Sequence, residues 1–326
     1  MTGKSGRADS HPVIVRSENG LALIMVLWIL VLLGIVALNY LSSSRWNMAS
    51  TRNLKDETTS YYMALSGYNR AVNYLLADKD QNMDFADADG NFWTSEDAVP
   101  VTGKRAVGGG EVDIEIIDED SKVNINTATP ARLKSLFSYA GIPDDEAQII
   151  IDSLLDWKDP DSDVHLNGAE DGYYEGLPDP YKAKNMNFDL PEELALVRGV
   201  KPGYLYGSED VKALLPLITT FGSGNININT VSKEMMQAMG LDGGSIAAIM
   251  KQRSGVSKGF RAVPPEFAAI GINATVTNTL RIEVTAKANN SGIASKIVAV
   301  INRQYGVDGY KLQTLYWRES AQNIRS

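Results

Sequence analysis

From Leu21 to Leu38 every position is apolar (LALIMVLWILVLLGIVAL), and no charge falls between Asn19 and Ser44. Eighteen residues at a helical rise of about 1.5 Å cover roughly 27 Å, close to a hydrocarbon core of about 30 Å. The pattern predicts a membrane-spanning helix over 21–44. Beyond it the apolar positions Leu54, Thr58, Tyr61, Leu65, Tyr68, Val72 and Leu75 recur at alternating spacings of four and three, which predicts an amphipathic continuation of the same helix lying on a sheet. Glu111 to Ile117 alternates acidic and apolar residues after a glycine turn, as a half-buried strand does, and three further strands are predicted at 281–288, 296–303 and 311–318. The turns Asn289-Asn-Ser-Gly292 and Gly306-Val-Asp-Gly309 separate those three. Between the outer strands, 121–279 reads mostly helical. The predicted class is α+β: a long N-terminal transmembrane and amphipathic helix packed on an antiparallel sheet, interrupted by a large, mostly α-helical insert.

The insert carries an internal repeat. Val123-Asn-Ile-Asn-Thr127 recurs as Ile226-Asn-Ile-Asn-Thr230, and each copy is followed by a helix, a turn containing glycine (Gly141; Gly240, Gly243 and Gly244) and another helix. Thr127 and Thr230 are the expected N-caps of the helices that follow. Further on, the copies continue into Phe188-Asp-Leu-Pro-Glu-Glu-Leu194 and Phe260-Arg-Ala-Val-Pro-Pro-Glu-Phe267. The arrangement resembles the helix-hairpin-helix modules of DNA-binding proteins, among them membrane-anchored competence DNA receptors. Such a hairpin offers backbone amides to phosphate with lysine or arginine nearby. The first copy instead leads into Asp144, Asp145 and Glu146. The second has Lys251, Arg253, Lys258 and Arg261 but also Asp242 in its turn. The balance over the insert is acidic, so a structural scaffold is the better reading and DNA binding the alternative.

Composition narrows the chemistry. The formal net charge is -9 and cysteine is absent, which removes disulfides, thiolate metal sites and thiol catalysis together. With two histidines, His11 in the leader and His165 in the acidic loop, a serine or cysteine triad has neither nucleophile context nor base. Gly108 to Gly110 lacks the following Lys-Ser/Thr of a phosphate loop. The chain is not expected to be an enzyme.

The densest cluster of polar side chains runs from Asp156 to Asp171 (DWKDPDSDVHLNGAED). So many carboxylates repel one another unless a cation joins them. Counted from Asp159, oxygen-bearing residues stand at loop positions one, three, five, nine and twelve, the hard-oxygen pattern that calcium prefers. Val164 takes the place of an EF-hand's turn glycine, and Gly172 to Pro178 does not read as an exiting helix. An irregular calcium loop fits better. Zinc is disfavoured, because only His165 supplies nitrogen. A second acidic group, Asp84, Asp87 and Asp89, reads as a turn.

The apolar run begins directly after a polar leader, Arg16-Ser-Glu-Asn-Gly20. This junction resembles that of type IV prepilins and of the pseudopilins of type II secretion, which a membrane peptidase cuts after the glycine. The resemblance implies cleavage between Gly20 and Leu21 and a leader left in the cytoplasm. Members of that family carry glutamate at the fifth mature position, where it pairs with the N-terminal amine of the subunit above. Met25 stands there in this chain, a departure characteristic of the K-type minor subunit of type II secretion. Its acidic insert, with Asp156-Trp157 and Gly168-Ala-Glu-Asp-Gly-Tyr-Tyr174, is similar to that of the same family. From the resemblance follow a calcium site at Asp159, Asp161, Asp163, Glu170 and Asp171, with Asp156 less favoured, and a role as cap of a short pseudopilus supporting export of folded proteins across the outer membrane. The implied partners are the I- and J-type minor subunits, with the H-type as a further candidate, the prepilin peptidase and the inner-membrane secretion platform. The implied location is the inner membrane, single-pass, with the C-terminal part periplasmic. The expected division is a leader at 1–20, a transmembrane helix at 21–44, the first part of a pilin-like domain at 45–120, the insert at 121–279 and the last strands at 280–326.

Overall fold

The computed structural model describes residues 18–78, 80, 82, 84–94, 100–254, 259–289, 291–306 and 309–323. Most of the leader, with His11 and Arg16, lies outside the described residues, as do Lys258 and the centre of the Gly306–Gly309 turn. The chain divides into two compact units, Met1–Lys55 and Asp56–Ser326. One helix, α1 (Glu18–Ala77), runs without interruption, as a segment with no proline allows.

In the first unit the large apolar side chains between Leu21 and Leu41 are all solvent-facing, Leu23 at 74% and Trp28 at 68% exposure. A helix satisfies its backbone polar groups internally, so a helix with such a surface suits hydrocarbon far better than water. Among the described residues it is the one helix long and apolar enough to cross a membrane.

In the second unit, α1 packs on a five-stranded antiparallel sheet. Its strands are β1 (Gly103–Val107), β2 (Gly110–Asp118), β3 (Thr279–Ala288), β4 (Ile293–Gly306) and β5 (Gly309–Asn323), in the order β5-β4-β3-β2-β1. The four predicted strands lie within β2 to β5. β1 (GKRAV) shows too little alternation to be read in advance. Strands β2 and β3 are remote in sequence yet central neighbours, in a register that sets Ile114 opposite Val284 and Asp118 opposite Leu280. Their inward residues, Val112, Ile114, Ile116, Leu280, Ile282 and Val284, form one core with Ala64, Ala71 and Leu75 of α1.

The buried line of α1 differs by one position from the stripe that the sequence predicts. Ser60, Ala64, Gly67, Ala71 and Leu75 face the sheet, with Tyr61, Leu65, Tyr68 and Val72 half-buried beside them and Leu54 exposed. The reason is proximity. A Cβ on Gly67 would stand 2.7 Å from Val284 Cγ1 and 2.8 Å from Val112 Cγ1, so the helix lies too near the strands for bulky side chains along its contact line. The larger residues fill the space to either side.

The segment between β2 and β3 has its own core, built around α2 (Pro130–Ala140), α3 (Asp144–Lys158), α4 (Lys233–Ala238) and α5 (Gly243–Ser254). The repeat organises it. In each copy the first two residues form a short parallel pair: Val123-Asn124 with Ile218-Thr219, and Ile226-Asn227 with Ile272 and Ala274. In each, the second asparagine clasps a distant backbone. Asn126 accepts from Phe188 N and donates to Phe188 O, while Asn229 accepts from Phe260 N and donates to Phe260 O. The two phenylalanine segments noted in the sequence are thus the straps these amides hold. The expected caps need correction. Thr129 and Ser232, two residues beyond Thr127 and Thr230, accept from Arg132 N and Met235 N. The repeat threonines precede the helices because a turn closed by Asn124 O and Asn227 O intervenes.

Replacing Gly67 by alanine should destabilise the second unit by about 1–3 kcal/mol, because two β-branched side chains cannot move aside cheaply. Thermal unfolding of the detergent-solubilised full chain measures this, and an unchanged transition would contradict the close packing of α1.

Candidate metal centre

Helix α3 packs through Ile150, Ile151, Leu154 and Trp157, and the same helical period sets Asp152 and Asp156 one turn apart on another side. Both are buried. The chain leaves the helix at Asp159 in extended conformation and folds back along α3. Asp152 Oδ2 accepts from Asn167 N (3.1 Å) and Asn167 Nδ2 (3.0 Å). Asp156 Oδ1 accepts from His165 N at 3.1 Å and lies against His165 Nδ1. Gly168 is packed so tightly here that a Cβ would come within 1.9 Å of Asp156 Oδ2. Arg198 closes the fold by donating to Gly168 O at 2.8 Å. Beneath, Trp157, Tyr174, Tyr181 and Phe188 form an aromatic bed, with Tyr174 edge-on to Trp157 at 5.2 Å. Burial pushes the Tyr174 hydroxyl up to about 12.

Ligand atoms of Asp156, Asp159 and His165 lie within 4.8 Å of one another. Asp156 Oδ2, Asp159 Oδ1 and both carboxylate oxygens of Glu170 are buried with no hydrogen-bond partner. Buried carboxylate oxygens are normally paired, so four together mark a place for positive charge. Burial raises the Asp159 carboxyl above its ordinary range, with Asp161 and Asp156 adding to the effect. Burial also raises Glu170, followed by the charges of Asp156 and Asp159. The bond to Asp156 raises His165. The donor set is rich in hard oxygen and offers a single imidazole, which suits calcium better than zinc.

The residues predicted from sequence separate into two sets. Asp159 comes together with Asp156, which the sequence reading ranks lower, and with His165, while Glu170 lies within electrostatic reach of both carboxylates. Asp161 and Asp163 are exposed on the loop, where Asp161 Oδ1 accepts from Asp163 N at 2.9 Å. Asp171 accepts from Ala183 N at 2.9 Å and Lys182 Nζ at 3.1 Å, which ties it to a different segment. The helical spacing of Asp152 and Asp156 was the signal that could have found the buried face.

The second repeat's hairpin is built for its own closure. Asp242 accepts from Gly244 N and Ser245 N at 2.8 and 3.1 Å, taking up amides that a phosphate would use. Arg253 is buried against Ile228 O, and burial lowers its guanidinium to about 9. Those two contacts oppose the DNA-binding alternative.

The protein-family description "Type II secretion system (T2SS), protein K" matches residues 112–222. Type II secretion system protein K of Aeromonas hydrophila is 29% identical over 241 residues, covering 67% of this chain and 69% of that protein. The protein of the same name from Pseudomonas aeruginosa is 27% identical over 239 residues, covering 69% and 68%. Among solved structures, the GspK-GspI-GspJ complex of the enterotoxigenic Escherichia coli type 2 secretion system matches with a TM-score of 0.57 at 19% identity, over 85% of this chain and 99% of that one. This last match is one of fold.

Gly168→Ala should lower stability by about 1–3 kcal/mol by displacing the Asp156 carboxylate, whereas Gly172→Ala, where a Cβ meets nothing within 4 Å, should stay within about 0.5 kcal/mol. Equal effects in parallel thermal melts would refute the tight seat for Asp156.

Proposed function

We propose that this chain, which the family description and the protein K relatives support as a member of the type II secretion protein K family, is a minor pseudopilin that caps the tip of the type II secretion pseudopilus. The observation that carries the tip assignment is Met25, fifth after Gly20 in an otherwise uninterrupted apolar helix. A carboxylate there would be costly in hydrocarbon unless a subunit above supplied an amine. Methionine needs no such neighbour, so the helix can lead a filament. In this reading the peptidase cuts between Gly20 and Leu21, and the helix anchors the chain in the inner membrane with the C-terminal part in the periplasm. The I- and J-type subunits, with the H-type as a further candidate, stand beneath it, on the inner-membrane platform, in a role that supports export of folded proteins across the outer membrane. The role is structural rather than catalytic.

The insert, assigned to 121–279, adds a body wider than a helix-on-sheet protomer, which fits a position that nothing stacks upon. Asp156, Asp159 and Glu170 would hold calcium within it. The ion would supply the positive charge that links the end of α3 to the returning loop, while Asn167 and Gly168 keep the two carboxylates of α3 in place.

Two measurements test the proposal. Immunogold labelling of tagged protein on assembled pseudopili should mark one end, and label spread along the shaft would rule out the capping role. Calcium added to chelated protein should raise the unfolding temperature by several degrees, as binding to the folded state alone requires. The rise should vanish in a variant carrying Asp159→Asn and Glu170→Gln, and its persistence there would exclude this site.

A further inference from the structure

A second buried ionic group lies away from the metal centre, where the sheet meets the second repeat. Asp118 ends β2 at 2% exposure; its Oδ2 accepts from Thr230 Oγ1 at 2.6 Å and Asn227 Nδ2 at 2.9 Å, and its Oδ1 from Asp120 N at 3.0 Å. Asn227 Nδ2 also donates to Thr277 Oγ1 at 3.2 Å. Thr277 continues the chain of contacts, since its carbonyl accepts from Arg303 Nη2 of β4 at 3.0 Å. Arg303 in turn meets Asp78, just past α1, at 3.0 Å, and Asp84 through Nη2. Asp78, Asp84, Asp118, Thr277 and Arg303 are all buried.

The charges do not balance. Among the described residues Asp84 shares the Arg303 guanidinium with Asp78 and leaves its Oδ1 without a hydrogen-bond partner, while Asp118 reaches that guanidinium only through Asn227 and Thr277. The remaining groups nearby offer little relief. Asp120 adds negative charge next to Asp118, Glu119 is committed to Arg281 at 2.6 Å and Lys122 at 3.3 Å, and the Tyr310 ring lies 5.0 Å from the Arg303 guanidinium. A dry interior does not sustain that excess of negative charge, and the inexpensive remedy is to keep a proton. Thr230 suits both states, because its hydroxyl can donate to a carboxylate or accept from a carboxylic acid.

We propose that this network is a proton-operated latch between the sheet and the second repeat, closed while Asp84 or Asp118 holds a proton and loosened when that proton passes to solvent. Burial pushes Asp118 up to about 7, with the Asp120 charge second, and burial likewise drives Asp84 well above the carboxylate range. A carboxyl whose folded value is raised stabilises the fold fully below its unfolded value, about 3.9, and loses that contribution as pH climbs through about 7.

The test is hydrogen–deuterium exchange on the full chain in detergent, corrected for intrinsic rates, at about pH 6 and about pH 8. Protection of the amides around Asn227 to Thr230 should fall about tenfold at the higher pH, as one proton titrating near 7 requires. An Asp84→Asn, Asp118→Asn double variant should show no such fall. Equal protection at both pH values in the wild type would overturn the latch, and so would a tenfold fall that survives in the double variant. Should that variant fail to fold, infrared spectra of the wild type decide. A protonated-carboxyl stretch that disappears between the two pH values supports the latch, and its absence at the lower pH overturns it.

Discussion

The pairing of β2 with β3 is the constraint on which the rest of the second unit depends. These neighbours are far apart in sequence, so the insert must fold into a body whose two ends emerge about 5 Å apart, the spacing of adjacent strands. Closing so long a connection costs chain entropy, although the cost grows only slowly with length. What offsets it is gathered at the junction. Glu119, directly after β2, is buried and paired with Arg281 of β3, and it also meets Thr219 within the insert. Asp118 reaches Asn227 and Thr230, and Asp120 accepts from Ser223 N and Oγ. Three consecutive carboxylates therefore fasten the two halves of the insert to the end of the central strands from which it departs.

Polar side chains play the same part throughout the insert, which has long stretches between its helices. The repeat asparagines supply one donor and one acceptor each to strands that have no partner strand, a task that an amide side chain performs as a peptide group would. Because the bonds are partly shielded from water, each is costly to break. The recurrence of Asn-Ile-Asn in the sequence is thus a recurrence of strap-holding, and it explains why a motif that resembles a phosphate-binding hairpin can serve as scaffold. Asp242 and Arg253, the two residues whose charges matter most to a nucleic-acid reading, are both engaged inside the protein.

The metal centre and the junction place carboxylates in low-dielectric surroundings, but they resolve the strain in different ways. At the end of α3, four buried carboxylate oxygens of Asp156, Asp159 and Glu170 have no hydrogen-bond donor, a load that a cation would meet. At the junction, a guanidinium, three hydroxyl or amide donors and a retained proton share the load. In the proposed reading the first arrangement ties the loop from Asp159 to Glu170 to an ion, whereas the second makes the joint responsive to pH.

Much of the architecture was legible in advance because it rests on period and length. An apolar run of eighteen residues, a two-residue alternation in β2 to β5, and a repeated pentapeptide are local properties, and local backbone geometry converts them directly into helix, strand and turn. The acidic loop stood out in the sequence for the same reason, by its density of carboxylates. Which carboxylates converge was not legible, since Asp161 and Asp163 are the same residue type as Asp156 and Asp159, and only the fold-back of the loop onto α3 buries Asp156 and half-buries Asp159 while leaving the other two in water. The contact line of α1 was likewise hidden: periodicity marked its bulky apolar residues, but the distance to the sheet decided that glycine, serine and alanine would meet it. Burial is a property of two surfaces together, and a single chain position carries only one of them.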